Sequence, residues 1–150
     1  MHMISEWTRD EHVISTDRDR LDLDVIYGFL STSYWATGRP RERTVRAIEQ
    51  SLPFGLYHAK EQIGFARVLT DYVTLAFLAD VFVLPAHRGK GLGTWLVEVV
   101  TSHPELSAVR RWHLGTRDAH GLYRKFGFRE PTPGEWLDRV NPSGPDAKRP

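Results

Sequence analysis

The sequence contains no cysteine, which excludes disulfide bonds, thiolate metal ligands and a cysteine nucleophile. Its charges almost cancel, with 20 basic and 19 acidic residues and a formal net charge of +1. This balance gives no reason to expect nucleic acid or an anionic membrane as a partner. The sequence also lacks an apolar stretch that could cross a bilayer, and its first residues do not resemble a secretory signal. We therefore expect a cytoplasmic protein.

Length and composition predict one folded domain. The chain has 150 residues, of which 41% are hydrophobic, so it can bury one sizeable core but hardly two. We assign residues 1–140 to this domain. Residues 141–150 have no apolar residue except one alanine, and this composition predicts a disordered tail. A homodimer is compatible with the sequence.

The hydrophobic periodicity predicts a mixed α/β (α+β) fold with about four helices. The predicted helices cover 22–32, 42–52, 91–102 and 119–126. The predicted strands cover 11–16, 54–59, 63–70, 74–84, 112–116 and, interrupted by two prolines, 128–140. The short joints between the strands from 54 to 84 favour antiparallel hairpins. The helix at 91–102 separates two strands that should therefore run parallel.

A glycine-rich basic turn follows the apolar strand that ends near Leu84. Residues 81–94 read VFVLPAHRGKGLGT, and a helical pattern begins at once after them. Glycines allow several backbone N–H groups to converge on one anion, and the positive end of the next helix adds to the attraction. The turn therefore predicts a site for a phosphorylated cofactor, although such a turn can also be a simple connection. It fits neither the P-loop nor the dinucleotide fingerprint.

The spacing Arg, two residues, Gly, one residue, Gly occurs here at Arg88, Gly91 and Gly93. It resembles the pyrophosphate loop of the GCN5-related N-acetyltransferases, the GNAT family. A second stretch, LGTRDAHGLYRKFGF at 114–128, resembles the next motif of that family. The two motifs stand in the right order with one helix and one strand between them. The resemblance covers roughly residues 54 to 130.

This resemblance implies acetyl-CoA as a co-substrate, held without a metal between two parallel strands that splay apart. The pantetheine would lie along the backbone of Phe82, Val83 and Leu84, and one N–H group near Phe82 or Val83 could also hold the oxyanion. Thr116 stands where the family often has asparagine, and its hydroxyl is a shorter partner. The remaining residues implied in cofactor binding are His87, Arg88, Gly89, Lys90, Gly91, Leu92, Gly93 and Thr94.

Two residues are candidates for the catalytic proton transfers. The resemblance implies that Tyr123 gives a proton to the departing thiolate, and the alternative is a tyrosine that only packs in the core. Asp80 lies between Ala79 and Val81, so burial should raise its affinity for protons and favour a role as base. It could equally be a strand-end aspartate bonded to the backbone, or a water chain could take the proton. His120 shares a helix face with Tyr123 and is a further candidate.

The resemblance places the acceptor between the loop that joins the first two helices and the turn near Asp71. Tyr34 and Trp35 would line this side, or else pack on the core as a lid. Arg67 could meet the carboxylate of an amino-acid-like acceptor. We expect an N-acetyltransferase that acts on a small primary amine by direct attack in a ternary complex. A noncatalytic acyl-CoA sensor is the alternative, since it needs the loop but not Tyr123.

The sequence offers no sign of two other kinds of site. Its histidines show no spacing typical of metal ligands. A run of arginines between residues 39 and 46 comes closest to a nucleic-acid surface, but Glu42 and Glu49 interrupt it. We therefore interpret the run as a solvated helix face.

Overall fold

The computed structural model describes residues 3–142, and six strands form a single sheet in sequence order. The first five strands pair antiparallel, and the last pair is parallel. The strands are β1 (Glu6–Arg9), β2 (His12–Ser15), β3 (Leu52–His58), β4 (Glu61–Thr70), β5 (Leu75–Val83) and β6 (Arg111–His113). The predicted mixed fold is thus confirmed. Of the predicted tail, only Asn141 and Pro142 lie within the described residues.

Within the described residues, four α-helices cover the sheet: α1 (Leu23–Leu30), α2 (Arg41–Glu49), α3 (Leu92–Thr101) and α4 (His120–Arg124). Helix α1 begins where the Asp22 carboxylate accepts hydrogen bonds from the backbone N–H groups of Asp24 and Val25. Helix α3 is almost wholly apolar because it packs on the core. Among the described residues, no helix is long and apolar enough to span a membrane.

The two faces of the sheet carry separate apolar clusters. One cluster joins α3 and Tyr123 of α4 to residues such as Phe54 and Leu78 of the sheet. The other joins Ile26 and Leu30 of α1 and Ile48 of α2 to Phe65 and Phe82, on the opposite face. Helices on both faces bury the middle strands on both sides, which explains the nearly continuous apolar run of β3 and β4.

The ends of the chain differ from the sequence predictions. A hairpin of β1 and β2 replaces the single predicted first strand, with Asp10 at a φ of 53° in its turn. The last predicted strand, over 128–140, is wrong, since the structure shows no strand after β6 in the described chain. Pro131 and Pro133 have no N–H groups for a ladder, and Gly134 takes a φ of 86°.

The last two strands separate after a short parallel contact. Residues Leu75–Phe77 of β5 pair with Arg111–His113 of β6, and no pairing follows. On its other side β5 contains a bulge, where Asp80 and Val81 stand opposite the single residue Ala66 of β4. Asp80 has a φ of 53°, in the left-handed region. The two strands therefore leave an open gap between residues 78–83 and 114–117, which we call the strand gap.

Candidate functional site

The glycine-rich turn between β5 and α3 has the shape that anion binding requires. Gly89 and Gly91 have φ values of 83° and 77°, which side chains rarely tolerate. The first hydrogen bond within α3 runs from the Trp95 N–H to the Gly91 carbonyl, at 3.1 Å. The preceding N–H groups, from Gly91 to Thr94, therefore have no acceptor within the helix. They point outwards at the positive end of the helix dipole.

A hollow of about 330 Å³ lies over these N–H groups. Most of the predicted loop residues line it, and Lys90 does not. Helix α4 contributes Leu122 and Lys125, which the sequence analysis did not assign to the site. Lys125 brings a cation to a hollow that already favours anions. The hollow is lined by Val83, His87, Arg88, Gly89, Gly91, Leu92, Gly93, Thr94, Leu122 and Lys125.

Two basic residues of the loop have contacts away from the helix end. The Arg88 Nε donates to the Val83 carbonyl at 2.9 Å, and its guanidinium lies 5.9 Å from the centre of the Phe29 ring. Arg88 thereby ties the end of β5 to α1. The His87 ring lies 6.0 Å from the ring of His58 on β3. These contacts orient the loop relative to the sheet.

The backbone at the end of β5 offers fewer free groups than the sequence implied. Leu84 N–H donates to the Ile63 carbonyl of β4 at 2.7 Å, so it is not available to a ligand. The N–H groups of successive residues point to opposite sides of a strand. The Phe82 N–H therefore points towards β4, as the Leu84 N–H does, and Phe82 pairs there with Phe65. Val83 then faces the strand gap. Of the three predicted residues, Val83 alone can present its N–H to this gap.

Tyr123 of α4 is buried beside the strand gap, and its ring packs against Phe128 at 5.8 Å. Burial raises the pKa of Tyr123 to about 12, and the nearby Tyr34 hydroxyl and Asp118 carboxylate act in the same direction. The side chain therefore holds its proton at neutral pH. The Thr116 hydroxyl accepts a hydrogen bond from the Ala119 N–H at 3.1 Å, so Thr116 fixes the turn that leads into α4.

The loop between α1 and α2, residues 31–40, bridges the strand gap, and we call it the bridging loop. Its Tyr34 hydroxyl accepts a hydrogen bond from the Arg117 N–H, which follows β6, at 2.9 Å. The Trp35 Nε1 donates to the Asp80 carboxylate of β5 at 2.9 Å. Tyr34 and Trp35 pack edge to face, with 5.1 Å between ring centres. The aromatic pair predicted for the acceptor side therefore contacts both sides of the gap.

Asp80 is buried, as the sequence suggested, but its expected high proton affinity is wrong. Burial alone would raise the pKa of this carboxyl. The hydrogen bond from Arg39 and the charge and hydrogen bond of Arg67 outweigh that effect and lower the pKa below its usual value. Arg39 Nη1 lies 2.9 Å from Asp80 Oδ2, and Arg67 Nε lies 2.7 Å from the same oxygen. Asp80 is therefore an ionised anchor for two guanidinium groups, and it is poorly suited to act as a base.

Arg67 and Asp71, predicted for the acceptor side, and His120, a candidate for proton transfer, have different surroundings. Arg67 donates through Nε to Asp80 and through Nη1 to the Ser51 hydroxyl, so it is a buried partner of Asp80. Asp71 accepts three backbone hydrogen bonds within its own turn. This turn joins β4 to β5, at the opposite end of β5 from the glycine-rich turn. His120 is exposed at the start of α4.

Arg39 is the main site residue that sequence reasoning missed. It belongs to the arginine run that we interpreted as a solvated face, yet its side chain is only 20% exposed. Its position in the loop that carries Tyr34 and Trp35 was the feature of the sequence that could have identified Arg39 as a site residue. A larger hollow, of about 430 Å³, lies near Arg20 and Asp22 at the start of α1. None of the residues that line this hollow belongs to the glycine-rich turn or the strand gap.

Comparison with known proteins agrees with these features. The family model described as Acetyltransferase (GNAT) domain matches residues 49–130. A Gibberella zeae protein assigned as an acetyltransferase is 32% identical over 140 residues, covering 79% of either chain. A protein of Xanthomonas campestris pv. campestris, assigned to the GNAT family, is 42% identical with a TM-score of 0.82, over 95% of this chain and 96% of that one. A GNAT acetyltransferase of Elizabethkingia anophelis with acetyl-CoA bound has 18% identity and a TM-score of 0.64, over 83% and 80%.

Proposed function

Because the chain belongs to the GNAT acetyltransferase family, we propose that it moves the acetyl group of acetyl-CoA to a primary amine. The amine attacks directly, in a ternary complex. One observation carries this proposal, namely the turn at the start of α3, whose N–H groups open beside the strand gap. A diphosphate on this turn leaves the pantetheine arm free to enter the gap. The acetyl-CoA bound to the Elizabethkingia anophelis relative supports the choice of co-substrate.

The reaction needs a polarised carbonyl, a neutral amine and a proton for the leaving sulfur. Val83 N–H faces the gap and is suited to hold the oxygen of the tetrahedral intermediate. As the new C–N bond replaces the C–S bond, the Tyr123 hydroxyl gives its proton to the thiolate and regains one from solvent. A pKa of about 12 keeps that hydroxyl protonated until the sulfur departs.

Asp80, the buried carboxylate of the strand gap, is poorly suited to act as a base. Asp80 is held by two arginines and by the Trp35 indole, and its pKa is lowered. We propose that the acceptor binds as the neutral amine and that the proton lost after attack passes to water. No step in this scheme requires a metal ion.

The proposal is tested by mixing the purified protein with acetyl-CoA and a panel of primary amines and measuring release of free thiol. We expect thiol release that depends on both the amine and the protein, together with an acetylated amine in the mass spectrum. Tight binding of acetyl-CoA without transfer to any amine would instead support the acyl-CoA sensor. Absence of acetyl-CoA binding would contradict both functions.

Replacing Gly91 with Ala tests the role of the turn. The added Cβ meets no atom within 4 Å, but the φ of 77° is strained for alanine and the N–H groups should shift their direction. Loss of one charge-assisted hydrogen bond would weaken binding of acetyl-CoA by roughly tenfold to a hundredfold. Isothermal titration calorimetry measures this change.

Gly134→Ala is the matched control, because Gly134 has a φ of 86° and open space around its Cβ position. It should cost similar backbone strain and leave the affinity for acetyl-CoA unchanged. Equal affinities for the Gly91→Ala protein and the unaltered protein would show that the turn does not hold the diphosphate.

A further inference from the structure

The acceptor side of the strand gap carries a net positive charge. Asp80 is the only carboxylate bonded to Arg39 and Arg67 in the described part of the chain, and both guanidinium groups donate to its Oδ2. Arginine stays protonated at all accessible pH values. The three side chains together therefore keep one uncompensated positive charge, and Arg39 is only one-fifth exposed. Such a charge is costly to bury unless an anion joins it.

Arg39 has an edge that can accept such an anion. Its Nη1 and Nη2 atoms donate to the two oxygens of Asp80, at 2.9 Å and 3.3 Å. A planar guanidinium has five N–H donors in a fixed fork, so these contacts leave a second edge, formed by Nε and Nη2. This pair of parallel donors matches the spacing of a carboxylate. In the described residues, Arg39 has no side-chain partner other than Asp80.

The charged groups around the bridging loop also sum to a net positive charge. The Arg117 guanidinium lies 4.2 Å from the ring centre of Tyr34. Asp118 is close enough to act on Tyr123, and it offsets one of these positive charges. Three arginines (39, 67 and 117) then face two aspartates (80 and 118). Tyr34 and Tyr123 also lie on this side, and the raised pKa of Tyr123 keeps it neutral.

We propose that the acceptor is an amino acid or a similar amine that carries a carboxylate close to the amino group. This inference rests on the proposed function and names its substrate class. The acceptor carboxylate binds the free edge of Arg39 and balances the surplus charge. Trp35, whose indole is fixed by Asp80, packs against the rest of the acceptor. The amino group then points towards the strand gap and Val83.

The same contact helps to supply the neutral amine that the reaction needs. A carboxylate close to an ammonium stabilises it, so pairing that carboxylate with Arg39 lowers the pKa of the bound amine relative to the free acceptor. A purely cationic acceptor, such as a polyamine, would meet repulsion from Arg39 and Arg117 without the compensating contact. The arrangement thus selects an acceptor that carries a carboxylate, and it favours loss of the proton from the acceptor amino group without a dedicated base.

The test compares matched acceptors that differ only in the carboxylate. Each L-amino acid of a panel is assayed by thiol release beside its carboxamide and its decarboxylated amine, at saturating acetyl-CoA. For at least one side chain, we expect kcat/KM to be roughly tenfold to a hundredfold higher for the acid than for the amide, as loss of an ionic hydrogen bond implies. The assay is run at several pH values, so that different amine pKa values do not decide the ranking.

The Arg39→Gln variant links this preference to one side chain. Asp80 keeps Arg67 as a partner, so the variant should fold, and circular dichroism checks that it does. We expect the advantage of the acid over the amide to disappear, chiefly through a higher KM for the acid. Arg43→Gln is the matched control, since Arg43 is an exposed arginine of α2, and the preference should persist there.

Three outcomes would overturn the proposal. Amides or simple amines could be the better substrates, or Arg39→Gln could slow acids and amides equally, which would indicate a structural role alone. Binding of acetyl-CoA with no transfer to any acid of the panel would also contradict the acceptor class. Failure of acetyl-CoA binding is distinct from these results, because it contradicts the proposed function itself.

Discussion

Replacing Tyr123 with Phe is expected to lower kcat by about 100-fold to 10,000-fold, the range typical of lost general acid catalysis. The change removes the hydroxyl but keeps the ring that packs on Phe128. Stability should change little, because the variant no longer buries a hydroxyl in the core. The KM for acetyl-CoA should stay near its original value, since the loop that holds the diphosphate is untouched. Steady-state thiol release with the best amine measures both constants.

Tyr57→Phe is the matched control for this prediction. Tyr57 is also buried, its pKa is also raised by burial to about 12, and its hydroxyl has no hydrogen-bond partner among the described residues. It lies on β3, outside the strand gap. Its removal should leave kcat unchanged. Comparable losses in both variants, or full activity in Tyr123→Phe, would exclude the acid role.

The pH profile provides a second check on Tyr123. A group with a pKa of about 12 stays protonated throughout the usual assay range, so it cannot cause a fall in rate below about pH 10. The rate should rise with pH as the acceptor amine loses its proton, and then level off. A descending limb near pH 8 that disappears in Tyr123→Phe would show a much lower pKa than the structure implies.

Replacing Asp80 with Asn is expected to destabilise the fold by about 3–5 kcal/mol, as when one partner of a buried ion pair is removed. Two guanidinium groups would then lie close together without a carboxylate between them. Asparagine has nearly the same shape and tolerates the left-handed backbone at this position. The loss should therefore come from charge. Denaturant unfolding at pH 7 measures it.

The stabilisation by Asp80 should depend on pH in a defined direction. Its pKa is lowered in the folded protein, so its contribution is complete above the unfolded value, near 3.9, and is lost as pH falls towards the folded value. Below about pH 4, the difference in free energy of unfolding between the two proteins should shrink by about 1.4 kcal/mol per pH unit. Equal stability of the two proteins at pH 7 would contradict the anchor role.

Local sequence patterns were sufficient for the central part of the fold. The alternating strands from β3 to β5, the apolar face of α3 and the parallel return at β6 all follow from periodicity and short joints. The C-terminal segment was mispredicted because its scattered apolar residues suggested a strand, whereas its two prolines lack the N–H groups that a strand needs. Trp136 instead packs on the His113 ring, at 4.3 Å between ring centres.

The chemistry of Asp80 could not be read from its neighbours in sequence. Ala79 and Val81 correctly suggested burial, but the groups that set its pKa come from elsewhere. Arg39 is 41 residues away, and only the fold of the bridging loop brings it to the strand. Arg67 was within reach of prediction, because an antiparallel pairing of β4 with β5 places it opposite Ala79.

The central claim is that the turn at the start of α3 holds the diphosphate of coenzyme A. A crystal structure of the protein grown with acetyl-CoA tests this claim most directly. We expect the diphosphate oxygens to accept hydrogen bonds from the N–H groups of Gly91–Thr94, with the thioester between Val83 and Tyr123. Acetyl-CoA bound at any other place, with the turn and the strand gap empty, would contradict the account.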